Sequence, residues 1–227
     1  MSFQPLFQVV MLSTIREESL TFFVSFLDLV PDALKKLKTL NALVIMNTPI
    51  KNLQKQLTSL TNLRRIQLWN CSLTYLPDLT NLRALAALEV DNNQISHIGA
   101  LPALALLSLD HNRLTEIPTL ENPELLQILT VGHNPLKNTE PIPLYKNLEV
   151  LSLASTNLTS IPREIDQLQK LEYLDVSSNQ LTVLPAGIFD LPQLQSLNLT
   201  DNLFSPDDIK SIQETLKTAR PHVELIV

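Results

Sequence analysis

One motif constrains this chain more than anything else in it. L-x-L-x-x-N-x-L, seen as Leu174-x-Val176-x-x-Asn179-x-Leu181, recurs as Leu88/Val90/Asn93/Ile95, Leu107/Leu109/Asn112/Leu114, Leu129/Val131/Asn134/Leu136 and Leu197/Leu199/Asn202, the last with Phe204. Looser copies, Leu43/Ile45/Thr48/Ile50, Ile66/Leu68/Cys71/Leu73 and Leu151/Leu153/Thr156/Leu158, carry Thr or Cys where the others have Asn. A weaker one, Leu20/Phe22/Ser25/Leu27 running into Val30-Pro31, aligns with Leu181-x-x-Leu184-Pro185. The first apolar positions fall at 20, 43, 66, 88, 107, 129, 151, 174 and 197, at intervals of 23, 23, 22, 19, 22, 22, 23 and 23 residues. Each copy holds a period-two strand signal only three residues long, too short to stand alone. It needs its own copies alongside, so the chain is read as stacked repeats whose neighbours build a continuous core.

The amide inside an apolar motif follows from the stacking. Where a strand ends and the chain turns inward, backbone N–H and C=O groups are left that neither water nor a ladder serves. Asparagine offers two donors and an acceptor, so a column of Asn93, Asn112, Asn134, Asn179 and Asn202 can bridge adjacent coils. Thr48, Cys71 and Thr156 fit the same column with fewer bonds.

These residues resemble the leucine-rich-repeat family, in its short-repeat bacterial form, over nearly the whole chain. The resemblance implies an α/β fold: a curved right-handed solenoid with a parallel sheet on the concave face and 3₁₀ or irregular segments on the convex one. Right-handed crossovers are also what parallel strands favour. One continuous domain is expected: an N-terminal cap at 1–18, nine repeats over 19–204, and a C-terminal cap at 205–227 made of a helix and a final strand. In that cap Ser205 suits the N-cap, Pro206 the first helical position, and Asp207 and Asp208 the positive end of the dipole. Ile209, Ile212 and Leu216 then recur at helical spacing, and Val223 and Leu225 can add the strand. At the other end Phe3, Leu6, Phe7, Val10 and Leu12 are the residues able to cover the first coil.

Composition bounds the function. The 227 residues are 44% hydrophobic and 18% charged, enough to bury a substantial elongated core, and the net charge of -6 argues against a nucleic-acid or anionic-membrane surface. Lys35-Lys36-Leu37-Lys38 reads as a solvated face. No apolar run approaches the ~20 residues of a membrane span, so no membrane insertion is expected. The opening "MSFQPLFQVVMLSTIREES" has neither a basic n-region nor a small-residue cleavage site, so no ordinary secretory signal is expected. A single cysteine excludes an internal disulfide, and the cysteine-rich caps of extracellular family members are missing. The expectation is a reducing cytoplasm, or transfer into a host cell without a classical signal, as the resemblance to bacterial effectors implies.

Chemistry is sparse. Glycines stand only at 99, 132 and 187, which excludes the common phosphate-cradling loops, and no cofactor is expected. Cys71, in the ladder column, should be a buried and inert thiol. Bacterial relatives that join such repeats to a ubiquitin ligase domain use a cysteine nucleophile, and that domain is missing here. His111 and His133 hold the same position in successive repeats, so they should stack about 5 Å apart. With Asp110 they form the one metal-binding or catalytic option, but a third ligand is not evident. Their other reading is two ordinary turn residues.

What distinguishes such a chain is its outward strand residues. The column before the first leucine runs Ser19, Ala42, Arg65, Ala87, Leu106, Ile128, Val150, Tyr173, Ser196, with an apolar stripe from Leu106 to Tyr173. Phe23, Met46 and Trp69 form a second stripe, and Glu89, Asp91 and Asp110 an acidic patch between the two. Contiguous apolar residues rimmed by charge mark interaction surfaces, and Trp and Tyr are frequent hot spots. The alternative is that the stripes only pack on themselves. The expected activity is therefore non-catalytic binding of a protein or peptide on the concave face, with a basic partner segment suiting the acidic patch. The L-P ends at Leu76-Pro77 and Leu184-Pro185 and the related Ile161-Pro162 resemble bacterial repeat-only proteins, effectors among them. An endogenous intracellular scaffold or signalling adaptor is the alternative, and an enzyme built on the histidine pair a third.

Overall fold

The leucines at strand positions repeat at intervals of 19 to 23 residues, and the chain answers by placing each above the last. The computed structural model describes residues 39–50 and 57–227, together with the backbone of Ser19–Phe23. The N-terminal cap at 1–18, the side chains of the first repeat, Phe23 among them, and the basic stretch at 35–38 lie outside the described residues.

Among the described residues ten parallel strands form one sheet: β1 (Ser19–Phe23), β2 (Ala42–Met46), β3 (Arg65–Trp69), β5 (Ala87–Glu89), β7 (Leu106–Ser108), β8 (Ile128–Thr130), β9 (Val150–Ser152), β10 (Tyr173–Asp175), β11 (Ser196–Asn198) and β12 (Glu224–Ile226). They neighbour one another in chain order. The register sets Leu43, Ile66, Leu88, Leu107, Leu129, Leu151, Leu174, Leu197 and Leu225 in one row. From Leu43 to Leu197 these are no more than 2% exposed. Burying each relative to water contributes roughly 2 kcal/mol, so the row and its companions are the main source of stability. Because every repeat contacts only its neighbours, that stability is a sum of adjacent interfaces.

In the coils from the fifth on, the return path is irregular or 3₁₀, with 3₁₀ turns at Pro123–Leu125, Ile142–Leu144, Arg163–Gln167 and Ala186–Asp190. The third and fourth coils depart from this, because β4 (Tyr75–Leu76) and β6 (His97–Ile98) pair there as a second, two-stranded parallel sheet. The reason is length. The fourth coil takes only 19 residues from its first leucine to the next, where an extended return covers the distance with fewer residues than a 3₁₀ turn, and the 22-residue third coil pairs with it. Tyr145, 1% exposed, fills the return side between coils and donates its hydroxyl to the Pro118 carbonyl.

The asparagine column is what fixes the strand ends. Asn134 Oδ1 accepts from Leu114 N in the preceding coil at 2.9 Å, and its Nδ2 donates to the carbonyls of Leu109, Val131 and Gly132 at 2.9, 3.0 and 3.1 Å. Asn93, Asn112, Asn179 and Asn202 repeat the arrangement. Thr156 Oγ1 bonds the Leu153 carbonyl and Asn179, Thr48 Oγ1 donates to the Met46 carbonyl, and the Cys71 thiol donates weakly to the carbonyls of Ile45 and Trp69. Among the described residues the buried polar side chains are Thr48, Asn93, Asn112, Asn134, Thr156 and Asn179, every one from this column. Polar groups enter this core only where backbone has to be satisfied.

At the far end Ser205 caps α1 (Pro206–Ala219) with a capping box: its Oγ accepts from Asp208 N and its own N–H is held by the Asp208 carboxylate. Ile212 and Leu216 are buried against the last coil. β12 then adds to β11 in register, Leu225 beside Leu197.

Candidate functional site

Strand residues that do not enter the core point outward from the sheet, and the register turns them into columns. Leu106, Ile128, Val150 and Tyr173 are direct neighbours on β7, β8, β9 and β10. The first three are half-buried, whereas Tyr173 is 46% exposed. Trp69, 40% exposed, sits beside the half-buried Met46 on β3 and β2.

The acidic patch between the stripes is not uniform. Arg65 holds Glu89 in an ion pair of 2.6 Å, and Gln67 Nε2 donates to the other Glu89 oxygen at 2.7 Å, so Glu89 and Arg65 largely neutralise each other. Asp91 Oδ1 accepts from Ser108 Oγ at 2.6 Å and from Asp110 N at 2.7 Å. Ser108 Oγ lies 2.7 Å from Thr130 Oγ1, and Asp110 Oδ1 accepts from Gly132 N at 2.6 Å. Gly132 fits closely here, since a Cβ there would stand 3.1 Å from the Ala154 carbonyl and 3.2 Å from that same Asp110 oxygen and would push both aside by a few tenths of an ångström. The concave floor is thus a hydrogen-bonded row of short polar side chains, preorganised before any partner arrives.

Burial, and secondarily the neighbouring Asp91 charge, raises the Asp110 carboxyl above its ordinary range, despite the Gly132 N–H that favours the charged form. A carboxyl whose pKa is raised on folding favours the native state while protonated, and loses that advantage as pH rises through its folded pKa. Asp110→Asn keeps the acceptor for Gly132 and removes the charge. The expected result is a melting temperature that moves upward relative to the parent protein as pH is raised from 3 to 7, with the two converging at the acid end. A difference that is constant with pH would refute it.

His111 and His133 stack with ring centroids 3.8 Å apart and planes 7° from parallel, closer than strand spacing alone implies. Backbone conformation brings them there. Both have positive φ, 55° and 54°, as do Asn47, Asn70, Asn92, Ser155, Ser178 and Asp201 at the same position of other coils. This left-handed column was readable in the sequence as the run of Asn, His, Ser and Asp just before each ladder residue, types that tolerate such backbone. Parallel stacked imidazoles direct their lone pairs side by side, not toward a common point, and among the described residues there is no group of three metal-binding side chains. Cys71 is buried, and desolvation pushes its thiol up to about 11, which suits a packing role. No described helix is long and apolar enough to cross a membrane.

Comparison with known proteins bears on this geometry. The family profile described as Leucine rich repeat matches residues 146–204. No curated protein is significantly similar in sequence. A leucine-rich-repeat protein of Leptospira interrogans is 30% identical, aligned over 88% of this chain and 58% of its own, with a TM-score of 0.68. YopM from Yersinia enterocolitica is 29% identical over 82% of this chain and 37% of its own, TM-score 0.60. A chain of the octameric complex of Latrophilin 3, Unc5D and the repeat part of FLRT2 aligns over 92% of this chain and 75% of its own at 21% identity, TM-score 0.59, a likeness of fold alone. This chain therefore spans little more than half the length of the Leptospira protein and under half of YopM.

Proposed function

Because the chain belongs to the leucine-rich-repeat family, whose fold serves protein interaction, we propose that it is a non-catalytic module that holds a protein or peptide on its concave face. The observation that carries this reading is the stripe Leu106, Ile128, Val150 and Tyr173, contiguous in register on the outward face of the sheet and ending in the exposed Tyr173. Large apolar side chains in such a row anchor a partner by excluding water, and Tyr173 brings both apolar area and a polar tip. Asp91 and Asp110, which Arg65 does not neutralise, suit a basic segment on that partner. Trp69, Met46 and Arg65 supply a second contact area. The partner is a host protein and the chain a bacterial effector, in keeping with its likeness to repeat proteins of Leptospira and Yersinia. The lone buried thiol suits a reducing compartment.

The test is affinity capture from eukaryotic and from bacterial lysate with the parent protein and with Ile128→Asp/Tyr173→Ala, after confirming equal thermal stability. A protein retained by the parent and lost by the variant places binding on the stripe. If the eukaryotic lysate supplies it, the effector reading stands, and if only the bacterial one does, the chain is an endogenous scaffold. Equal capture by both refutes the concave-face reading.

A further inference from the structure

Across β5, β7, β8, β9, β10 and β11, from the residue before each strand to the second residue after it, the charged side chains are Glu89, Asp91, Asp110, Glu149, Glu172 and Asp175. Lysine and arginine are absent from that stretch, and the nearest basic residues along the sheet, Arg64 and Arg65, stand at β3. On these strands the stripe is therefore accompanied by carboxylates alone, with Asp175 two residues along from Tyr173 at one end and Asp110 four residues along from Leu106 at the other. Next to the stripe the floor is low: Thr130, Gly132, Ser152 and Ala154 are all small.

We propose that the occupant of this face is a basic amphipathic α-helix lying along the solenoid axis across β7 to β10, with its apolar side on Leu106, Ile128, Val150 and Tyr173 and its basic residues toward Asp110 and Asp175. This rests on the concave-face reading above and adds the conformation and charge of the partner. Spacing decides between helix and strand. Neighbouring strands lie about 4.8 Å apart, so the stripe repeats at that distance. Successive turns of a helix repeat at about 5.4 Å, within an ångström of it, whereas an extended chain offers same-face residues only every ~6.7 Å and drifts out of register by the second strand. The four strands span about 14 Å, so basic residues about ten apart on a helix match the separation of β7 from β10, with Asp110 in the column further out than Asp175. The small residues of the floor leave the depth a helix needs beside the ridge. Adding a strand to the sheet would contact only an end of it and leave the stripe uncovered.

The probe is a fluorescein-labelled peptide of about 18 residues with leucines at i, i+3, i+4 and i+7 and lysines flanking them, compared with the same composition interrupted by two central prolines. Expected are saturable anisotropy, a rise in peptide helicity on binding, and weakening by added salt. Affinity should fall at least tenfold in each of three cases: the proline peptide, Tyr173→Ala, and Asp110→Asn/Asp175→Asn. Those carboxylate changes keep the acceptors for Gly132 and Ser177, so folding is preserved. If the proline peptide binds as tightly and Tyr173→Ala weakens both, the helix is wrong and the concave-face reading survives. If neither peptide binds while lysate capture still depends on Ile128 and Tyr173, the helix is again the part overturned. Binding of the helical peptide that is indifferent to Tyr173→Ala, with lysate capture equally indifferent, overturns both.

Discussion

Replacing Asn179 with leucine is expected to destabilise the protein by roughly 4 kcal/mol, because its amide serves buried backbone that leucine cannot serve. Asn179 Oδ1 accepts from the N–H groups of Thr156 and Leu158 at 3.0 and 2.9 Å, and its Nδ2 donates to the carbonyls of Leu153, Val176 and Ser177 at 2.8, 3.0 and 3.1 Å. Leucine has the same branched side-chain outline but bulkier ends, so it adds some crowding, and two buried donors lose their acceptor at roughly 1–3 kcal/mol each while the carbonyls lose a donor as well. Against a typical total of about 5–15 kcal/mol this is a large fraction. Asn179→Thr is the informative companion, since Thr48 and Thr156 already occupy the column, and its loss should be about half. Urea unfolding followed by far-UV circular dichroism checks both. Stability in a solenoid is a sum over neighbouring coils, so the Leu variant should also lose cooperativity, with the C-terminal coils melting first. A midpoint within error of the parent's would show that water or backbone relaxation serves those groups.

Gly99→Ala should be the costliest single-methyl change, at about 3 kcal/mol. A Cβ at 99 would stand 2.5 Å from Asp78 N, 2.7 Å from Pro77 C and 2.9 Å from Pro77 O, and all three are backbone atoms that cannot swing aside. The approach exists because the Gly99 N–H donates to the Leu76 carbonyl at 2.9 Å where β4 and β6 pair. The comparison is Gly187→Ala, whose Cβ would meet the Asp166 side chain first at 3.0 Å and should cost clearly less. Equal midpoints for the two variants would refute the ranking.

The solenoid and its row of leucines are legible because the interval is local information: leucines at a fixed period cannot be buried except against their own copies. Asn179 is legible for the same reason, as a polar residue that makes sense only where strand ends need donors and acceptors. The paired strands on the return path were not, since the 19-residue interval announced a shorter coil without saying that extended backbone would close it. Nor was the pairing of Glu89 with Arg65, which stand 24 positions apart and meet only through the register of β3 and β5.

For the binding face the division is similar. Spacing alone decided which residues point outward and in what column, because alternation along a strand is a property of the chain's covalent geometry. What only the tertiary structure decided is how those residues are engaged: Glu89 is neutralised by Arg65 and held by Gln67, Asp91 and Asp110 each commit one carboxylate oxygen to a floor with Ser108 and Gly132, and the two histidines close onto each other at 3.8 Å. Side-chain partners across coils depend on distances of a few tenths of an ångström, set by stacking and turn geometry that the order of residues does not encode locally.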